Sequence, residues 1–433
     1  MRFAALSAIV LIMLGGPAPA APAPASPTSP TKAQLQAWRD RFEKEVREGI
    51  LAFWLKHDLD ESRGGFHGAL DRKGNPDLAA DRSLVLNARL LWTFSAASRM
   101  YGDAAYRKAA KRAYDYLEEK FRDRARRGGY WWSVSVTGGV KDDHKYVYGE
   151  SFVIYALTEY WMMSGEPNLN KKIFGFFHQM DQPAHDRTWG GYMESFTRDW
   201  KPELKVYPVG PPDLKSANTH LHLLESLSSL VAATGHRQIK QRLDEIRKLF
   251  ITKMVDPAGY THEYFKPDWT PTANDSSYGH DVELAWLLPE ATRALGLPEN
   301  DPDTLRISKA LVDHALQYGF DRERGGFFER GPANGPATDR SKNWWAQAEG
   351  LVGLLEVYRA TGDPVYFAAF ERTAEFIFRD LVDAEYGEWY PGVKADGTLV
   401  GTEKATFWKC PYHNTRACLE VIKRLDALIP RAK

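Results

Sequence analysis

The sequence predicts an all-α protein: an (α/α)6 barrel, six helical hairpins closing into a ring, with short strands or loops over one mouth. Three observations predict it. A glycine-aromatic turn signature recurs six times, its aromatics separated by 64, 62, 68, 67 and 62 residues. Between signatures lie pairs of patterns with apolar residues at i, i+3, i+4 and i+7, the stripe of a buried helix face. The first and last patterns are left without hairpin partners and can close the ring on each other. Internal periodicity of this length marks repeated supersecondary units. An open α-solenoid is the competing arrangement. The irregular repeats and the absence of polar capping repeats favour the closed ring.

The elements follow in order. Residues 1–20 read as a secretory signal peptide. Met1-Arg2 precedes an apolar run from Phe3 to Leu14, and Ala18-Pro19-Ala20 supplies the small-residue cleavage pattern. Residues 21–31 are a linker rich in Ala, Pro, Ser and Thr. Residues 32–433 form a single catalytic barrel domain. The expected location is outside the cytoplasm, periplasmic or secreted. No later apolar run is long enough to span a bilayer.

The first barrel helix is expected from Lys32 to His57. The hairpins follow as Leu84 to Arg99 with Ala104 to Phe121, Tyr148 to Met163 with Asn168 to Met180, and Asn218 to Ala233 with Arg237 to Met254. Then come Asp281 to Leu295 with Asp303 to Tyr318, and Trp344 to Thr361 with Pro364 to Leu381. The last helix, Tyr412 to Leu428, pairs with the first. Gly102, Gly165, Gly235 and Gly362 separate hairpin members, as glycine does just beyond a helix C-terminus. The turn signatures are Gly64-Gly65-Phe66, Gly128-Gly129-Tyr130, Gly190-Gly191-Tyr192, Ala258-Gly259-Tyr260, Gly325-Gly326-Phe327 and Gly387-Glu388-Trp389. Four carry an upstream aspartate: Asp186, Asp256, Asp321 and Asp383.

Composition narrows the function. The 433 residues hold 57 Lys+Arg against 57 Asp+Glu. Zero formal charge argues against nucleic-acid binding, which needs a basic surface. It also argues against a polybasic membrane anchor. Cys410 and Cys418 are too few for a disulfide scaffold or a four-cysteine zinc site. Fourteen Trp, 20 Tyr and 21 Phe fit either a large core or a groove that stacks on sugars. Phosphate-binding glycine loops and the hydrolase nucleophile elbow are absent from the sequence.

Polar residues in otherwise apolar inner helices are the candidate site. Asn218, His222 and Glu225 share one helical face, whereas His220 points elsewhere. His220 and His222 diverge on a helix, which disfavours a shared metal. His280 and Glu283 also share a face. They suit a general acid/base pair, or else the residues around them cap a helix. His413 opens the last helix as a catalyst or as a packing residue. Arg89 is a buried cation that needs a carboxylate or a ligand oxygen. Tyr148, Trp344 and Glu349 are further polar and aromatic groups at helix starts, and Trp408 precedes the last helix.

Several of these stretches together carry a resemblance. They are Gly279-His280-Asp281-Val282-Glu283, Trp344-Trp345-Ala346-Gln347-Ala348-Glu349, Trp408-Lys409-Cys410-Pro411-Tyr412-His413-Asn414, Asn218-Thr219-His220-Leu221-His222 and Asn87-Ala88-Arg89. From about residue 34 onward the chain resembles the cellobiose 2-epimerase branch of the N-acylglucosamine 2-epimerase superfamily. The resemblance implies epimerisation at C2 of the reducing-end sugar of β-1,4-linked disaccharides, with no metal and no cofactor. It implies that His280 and His413 are the acid/base pair and that Glu283 orients His280. Arg89 would steady the enediolate, while His222 and Asn218 bind near O1 and O5. Tyr148 contacts the reacting sugar, Trp344 and Trp408 stack on sugars, and Glu349 joins the substrate-binding set. The implied partner is a small disaccharide; the oligomeric state stays open, a monomer being compatible. A monosaccharide isomerase, an N-acylglucosamine epimerase, an inverting glycoside hydrolase and a non-catalytic sugar-binding barrel are the competing functions.

Overall fold

The computed structural model of the protein describes residues 27–125 and 128–432. The expected signal peptide lies outside the described residues, as does most of the expected linker. Thr31 ends that linker as the N-cap of the first helix, its hydroxyl accepting from the Gln34 backbone N–H in a capping box.

Six inner helices ring the axis: α3 (Leu84–Tyr101), α5 (Val147–Ser164), α7 (Ala217–Thr234), α9 (Tyr278–Leu295), α11 (Trp344–Thr361) and α13 (Tyr412–Leu428). Each packs on the next, and α13 packs on α3, so the ring closes. Outside them run α4 (Ala104–Tyr116), α6 (Leu169–Ala184), α8 (Arg237–Leu249), α10 (Pro302–His314) and α12 (Pro364–Phe376). The sixth outer rod is α1 (Lys32–Lys44) joined to α2 (Ala52–His57) through a π-helical turn, and it packs on α13. The sequence patterns explain the two layers. Inner helices are buried nearly all round: α3 is buried continuously from Leu84 to Ser98. Outer helices bury one stripe, as α8 does with Ile239, Leu243 and Ile246. The inner hairpin members α3, α5, α7 and α11 end on left-handed Gly102, Gly165, Gly235 and Gly362, as expected.

Short antiparallel ladders cover one mouth. Each pairs the residues just before an inner helix with a strand one repeat later: β1 (Arg82–Ser83) with β2 (Ser133–Val134), β4 (Lys145–Tyr146) with β5 (Ser195–Phe196), and β6 (Lys215–Ser216) with β7 (Tyr264–Phe265). In the same way β8 (Asp275–Ser277) pairs with β9 (Arg330–Pro332), and β10 (Lys342–Asn343) with β11 (Gly392–Val393). The remaining strand, β3 (Val140–Asp142), extends the first ladder.

The turn aspartate is more regular than the sequence suggested. Besides the four expected, Asp60 and Asp123 close the same turn, their N–H groups donating to the Gly65 and Gly129 carbonyls. Five of the six aspartates pair with a buried cation: Asp60 with Arg82, Asp123 with Lys145, Asp186 with Lys215, Asp321 with Lys342 and Asp383 with Lys404. Four of these cations stand two residues before an inner helix. Each such pair therefore pins a glycine turn to the start of the next hairpin.

One expected register is corrected. In the fourth repeat the turn is one residue shorter, and Thr261, not Tyr260, bridges the preceding chain at Val255. The helix containing His280 also begins three residues earlier than expected, at Tyr278. Asp281 is therefore interior. Its carboxylate accepts from the Thr261 N–H at 2.8 Å and from Ser276 at 2.5 Å, so it holds the turn and caps nothing.

Candidate active site

The inner helices follow one positional rule. At the fourth residue Glu150, His220, Asp281 and Gln347 accept a backbone N–H from the preceding turn, at 2.7–3.0 Å. His220 is thus a turn anchor. At the sixth residue Arg89, Phe152, His222, Glu283 and Glu349 face the axis, joined by Arg416 from α13. These six meet there. The Arg89 guanidinium lies 4.3 Å from the Phe152 ring, Phe152 and His222 rings are 4.5 Å apart, and Arg416 bonds Glu283 and Glu349 at 2.6 and 2.7 Å.

Above this layer a cavity of about 220 Å³ opens toward the strand-covered mouth. It is lined by Arg89, Tyr148, Asn218, His222, His280, Glu283, Trp344, Trp345, Trp408 and His413. Every sequence-predicted site residue except Glu349 is among them. Glu349 sits behind His413, its carboxylate bonded to Nδ1 at 2.6 Å and to the Trp286 indole N–H at 3.0 Å. Its place is under the histidine, not against a substrate. The expected Glu283–His280 contact is also corrected. Although they share a face, the His280 Nδ1 turns to Glu263 at 3.0 and 3.2 Å, while Glu283 turns down to Arg416. Position on one helix sets proximity, but the nearer carboxylate on the loop after α8 takes the ring nitrogen.

The two cavity histidines differ electrically. Burial works against the charged form of His280, but Glu263, then Glu283 and Glu329, outweigh it and raise the ring to about 9. Burial, Arg89 and His280 push His413 well below its ordinary value. Burial likewise pushes His222 down and lifts Glu283 to about 7. The Nδ1 of His222 faces Glu225 at 3.1 Å, and Glu225 also meets Tyr412 and Arg416. Arg89 donates to the Tyr148 hydroxyl at 3.0 Å and pairs with no described carboxylate. Its charge is free for a ligand oxygen. Trp345 stands between the histidines, its ring 5.0 Å from His280 and 5.9 Å from His413. Trp408, 37% exposed, forms part of the rim beside Trp132.

Three groups went unassigned in the sequence: Glu263, Arg416 and Trp345. The usable signal for Glu263 was the repeat. Glu194 lies two residues past the bridged Tyr192 and bonds Thr219, the third residue of α7; Glu263 lies two past Thr261 and bonds His280, the third residue of α9.

Ligand atoms of Glu283, Glu349 and His413 come within 4.8 Å of one another, as metal ligands would. The Arg416 guanidinium already bonds both glutamates and fills the cation's place. Asp142, Asp143 and His144 also converge, on the half-buried turn between β3 and β4, outside the cavity.

A site of this kind, two imidazoles lining a small cavity beside a guanidinium that pairs with no described carboxylate, can move protons at carbon and stabilise an oxyanion. Comparison with known proteins identifies the family. The family described as N-acylglucosamine 2-epimerase (GlcNAc 2-epimerase) matches residues 64–417. A cellobiose 2-epimerase from Bacteroides fragilis is 33% identical over 392 residues, covering 89% of this chain and 98% of its own. One from Dictyoglomus turgidum is 30% identical, covering 90% and 100%. The solved structure of cellobiose 2-epimerase from Spirochaeta thermophila superposes with a TM-score of 0.83 at 34% identity, covering 92% of this chain and 98% of that one. A family 76 mannosidase from Bacteroides thetaiotaomicron, 13% identical with a TM-score of 0.62, shares the fold alone. The chain therefore belongs to the N-acylglucosamine 2-epimerase family and is a carbohydrate epimerase, an enzyme of the isomerase class.

Proposed function

We propose that the protein inverts C2 of the reducing-end sugar of β-1,4-linked disaccharides, cellobiose or mannobiose, through two histidines. The observation that carries this reading is the pair His280 and His413, each tied at Nδ1 to its own carboxylate and both lining one cavity. The C2 hydrogen of a sugar is acidic only in the open-chain aldehyde. His222 and Asn218 suit ring opening, which moves a proton between O5 and O1. A histidine then removes the C2 proton, and the electron pair spreads over O1 and O2, where Arg89 meets the charge. The second histidine returns a proton to the opposite face. Trp344 and Trp408 supply flat surfaces for the sugars, and relatives of 30–33% identity bear the name cellobiose 2-epimerase.

The test is incubation with cellobiose and mannobiose in D2O. The epimer should carry deuterium at C2, and His280→Asn and His413→Asn should each lose about 10²–10⁴-fold in rate. Release of monosaccharides, turnover of mannose in preference to both disaccharides, or a fully active His413→Asn would refute the reading. A D-mannose isomerase from Marinomonas mediterranea, 26% identical, makes mannose the necessary control. We also propose export, on the Met1–Ala20 pattern. N-terminal mass spectrometry from the native host should find a chain beginning near Ala21; an intact Met1 in the cytoplasmic fraction refutes it.

A further inference from the structure

We propose that Glu263 is the positioning residue that loads His280 with its proton, making His280 the resting acid and His413 the resting base. The inference rests on the two-histidine reading and assigns its direction. Both imidazoles have a carboxylate at Nδ1, but the two carboxylates differ in what else they serve. Glu349 is shared: its Oε1 accepts from Arg416 at 2.7 Å as well as meeting His413 at 2.6 Å. Burial and the neighbouring Glu283 also push its carboxyl well above its ordinary value, so it does little to hold a proton on His413. Glu263 is unshared. It is buried, and His280 is its only ion-pair partner among the described residues. Arg330 also acts on Glu263 but makes no ion pair with it among the described residues, and a buried carboxylate whose one ion pair is to an imidazole holds the proton on that ring.

The remaining surroundings act in the same sense. Glu283 on the same helix and Glu329 before β9 add negative charge toward His280, while the Trp345 ring covers it. Across the cavity Arg89, Tyr148, His222 and His413 are the other titratable or charged groups of its lining, and Arg330 acts on Glu263 and Glu329 from outside it. Arg89 and His280 itself disfavour a second positive charge on His413. The resting site thus holds one proton between two imidazoles, placed on His280. With Nδ1 of each ring bonded to a carboxylate, Nε2 is the nitrogen each has left for the sugar. His413 Nε2 takes the C2 proton as the C2–H bond breaks. The enediolate then forms a new C2–H bond on its other face with the proton from His280 Nε2. The proton count is unchanged, and exchange with solvent returns the proton from His413 to His280.

Two measurements test this. The first is an NMR titration of the imidazoles in the resting protein, which needs no turnover. His280 should stay charged to about pH 9, and Glu263→Gln should return it by roughly two units toward its ordinary value. The second is the pH profile of kcat/KM. Its basic limb should move down by the same interval in Glu263→Gln, so that activity at pH 8.5 falls more than at pH 6.5 by about tenfold or more. Glu263→Asp should keep the wild-type limb at a reduced rate. A uniform loss with an unmoved limb would show a merely structural carboxylate and overturn the proposal. If Glu263→Gln does not fold, the wild-type titration decides alone: His280 charged at pH 8 supports the assignment and His280 neutral there overturns it. If the wild type fails to epimerise while His280 still titrates near pH 9 and responds to Glu263, the functional reading falls and the Glu263–His280 coupling stands.

Discussion

Replacing Arg416 with Met removes the guanidinium that bonds Glu225, Glu283 and Glu349 beneath the active-site cavity. Burial pulls Arg416 down to about 9, so it is charged at neutral pH. Breaking a buried ion pair from one side costs about 3–5 kcal/mol. Three stranded carboxylates place this variant at the top of that range, about 5 kcal/mol. At about 2 °C per kcal/mol for a chain of this size, the melting temperature should fall by about 10 °C near neutral pH. The loss should depend on pH. Burial already raises the Glu283 and Glu349 carboxyls above the unfolded value, and without the cation they rise further. The folded variant then binds more protons than the unfolded chain, and its stability falls as pH rises through that window. Glu283 already stands at about 7 in the intact protein. The deficit should therefore be smallest below about pH 4, where the carboxyls are protonated folded or unfolded, and should grow as pH rises through about 7 and beyond. Thermal melts of both proteins at pH 5, 6.5 and 8 measure it. An equal loss at pH 5 and 8, or a loss below about 1 °C at pH 8, would refute the account of Arg416 as the counter-charge of this layer.

Other expectations follow from single contacts. Lys342→Met strands Asp321, now paired at 2.6 Å, and should cost about 3–5 kcal/mol, partly recovered by adding Asp321→Asn; denaturant unfolding checks it. Trp408→Ala removes a rim surface worth about 1 kcal/mol, so KM for a disaccharide should rise about fivefold with kcat nearly unchanged. A fall in kcat without a change in KM would place Trp408 in the chemistry instead. Exhaustive chelation should leave activity intact; loss with EDTA and recovery with zinc or manganese would overturn the metal-free mechanism.

The ring was legible because its signals are local and repeated. A glycine-aromatic turn and an amphipathic pair every hairpin leave few other ways to bury the apolar stripes. His280, His413, Arg89 and His222 were legible as candidates because a polar group in an apolar inner helix stands out. What failed were contacts that leave the helix. Glu263 reaches His280 across 17 residues of loop and ladder, and the shortened fourth turn shifts the register that would have aligned it with Glu194. Arg416 gathers partners from α7, α9 and α11, up to 191 residues away, and nothing in its own neighbourhood announces them. Glu349 looked like a ligand because it opens a helix beside two tryptophans. Only the arrival of His413 from the last helix shows what it supports.

His413 also ties the candidate site to closure of the ring. His413, the Glu349 carboxylate under it and His280 come from α13, α11 and α9. The helix that brings His413 is held in place by the first helices of the barrel, at the other end of the chain. A chain truncated before α13 can form hairpin after hairpin and yet lack one of the two cavity histidines. Under the proposed mechanism activity arrives with circularisation, so a catalytic assay reports ring closure as directly as it reports chemistry. Two separately expressed fragments cut between hairpins should be silent alone and active once they anneal.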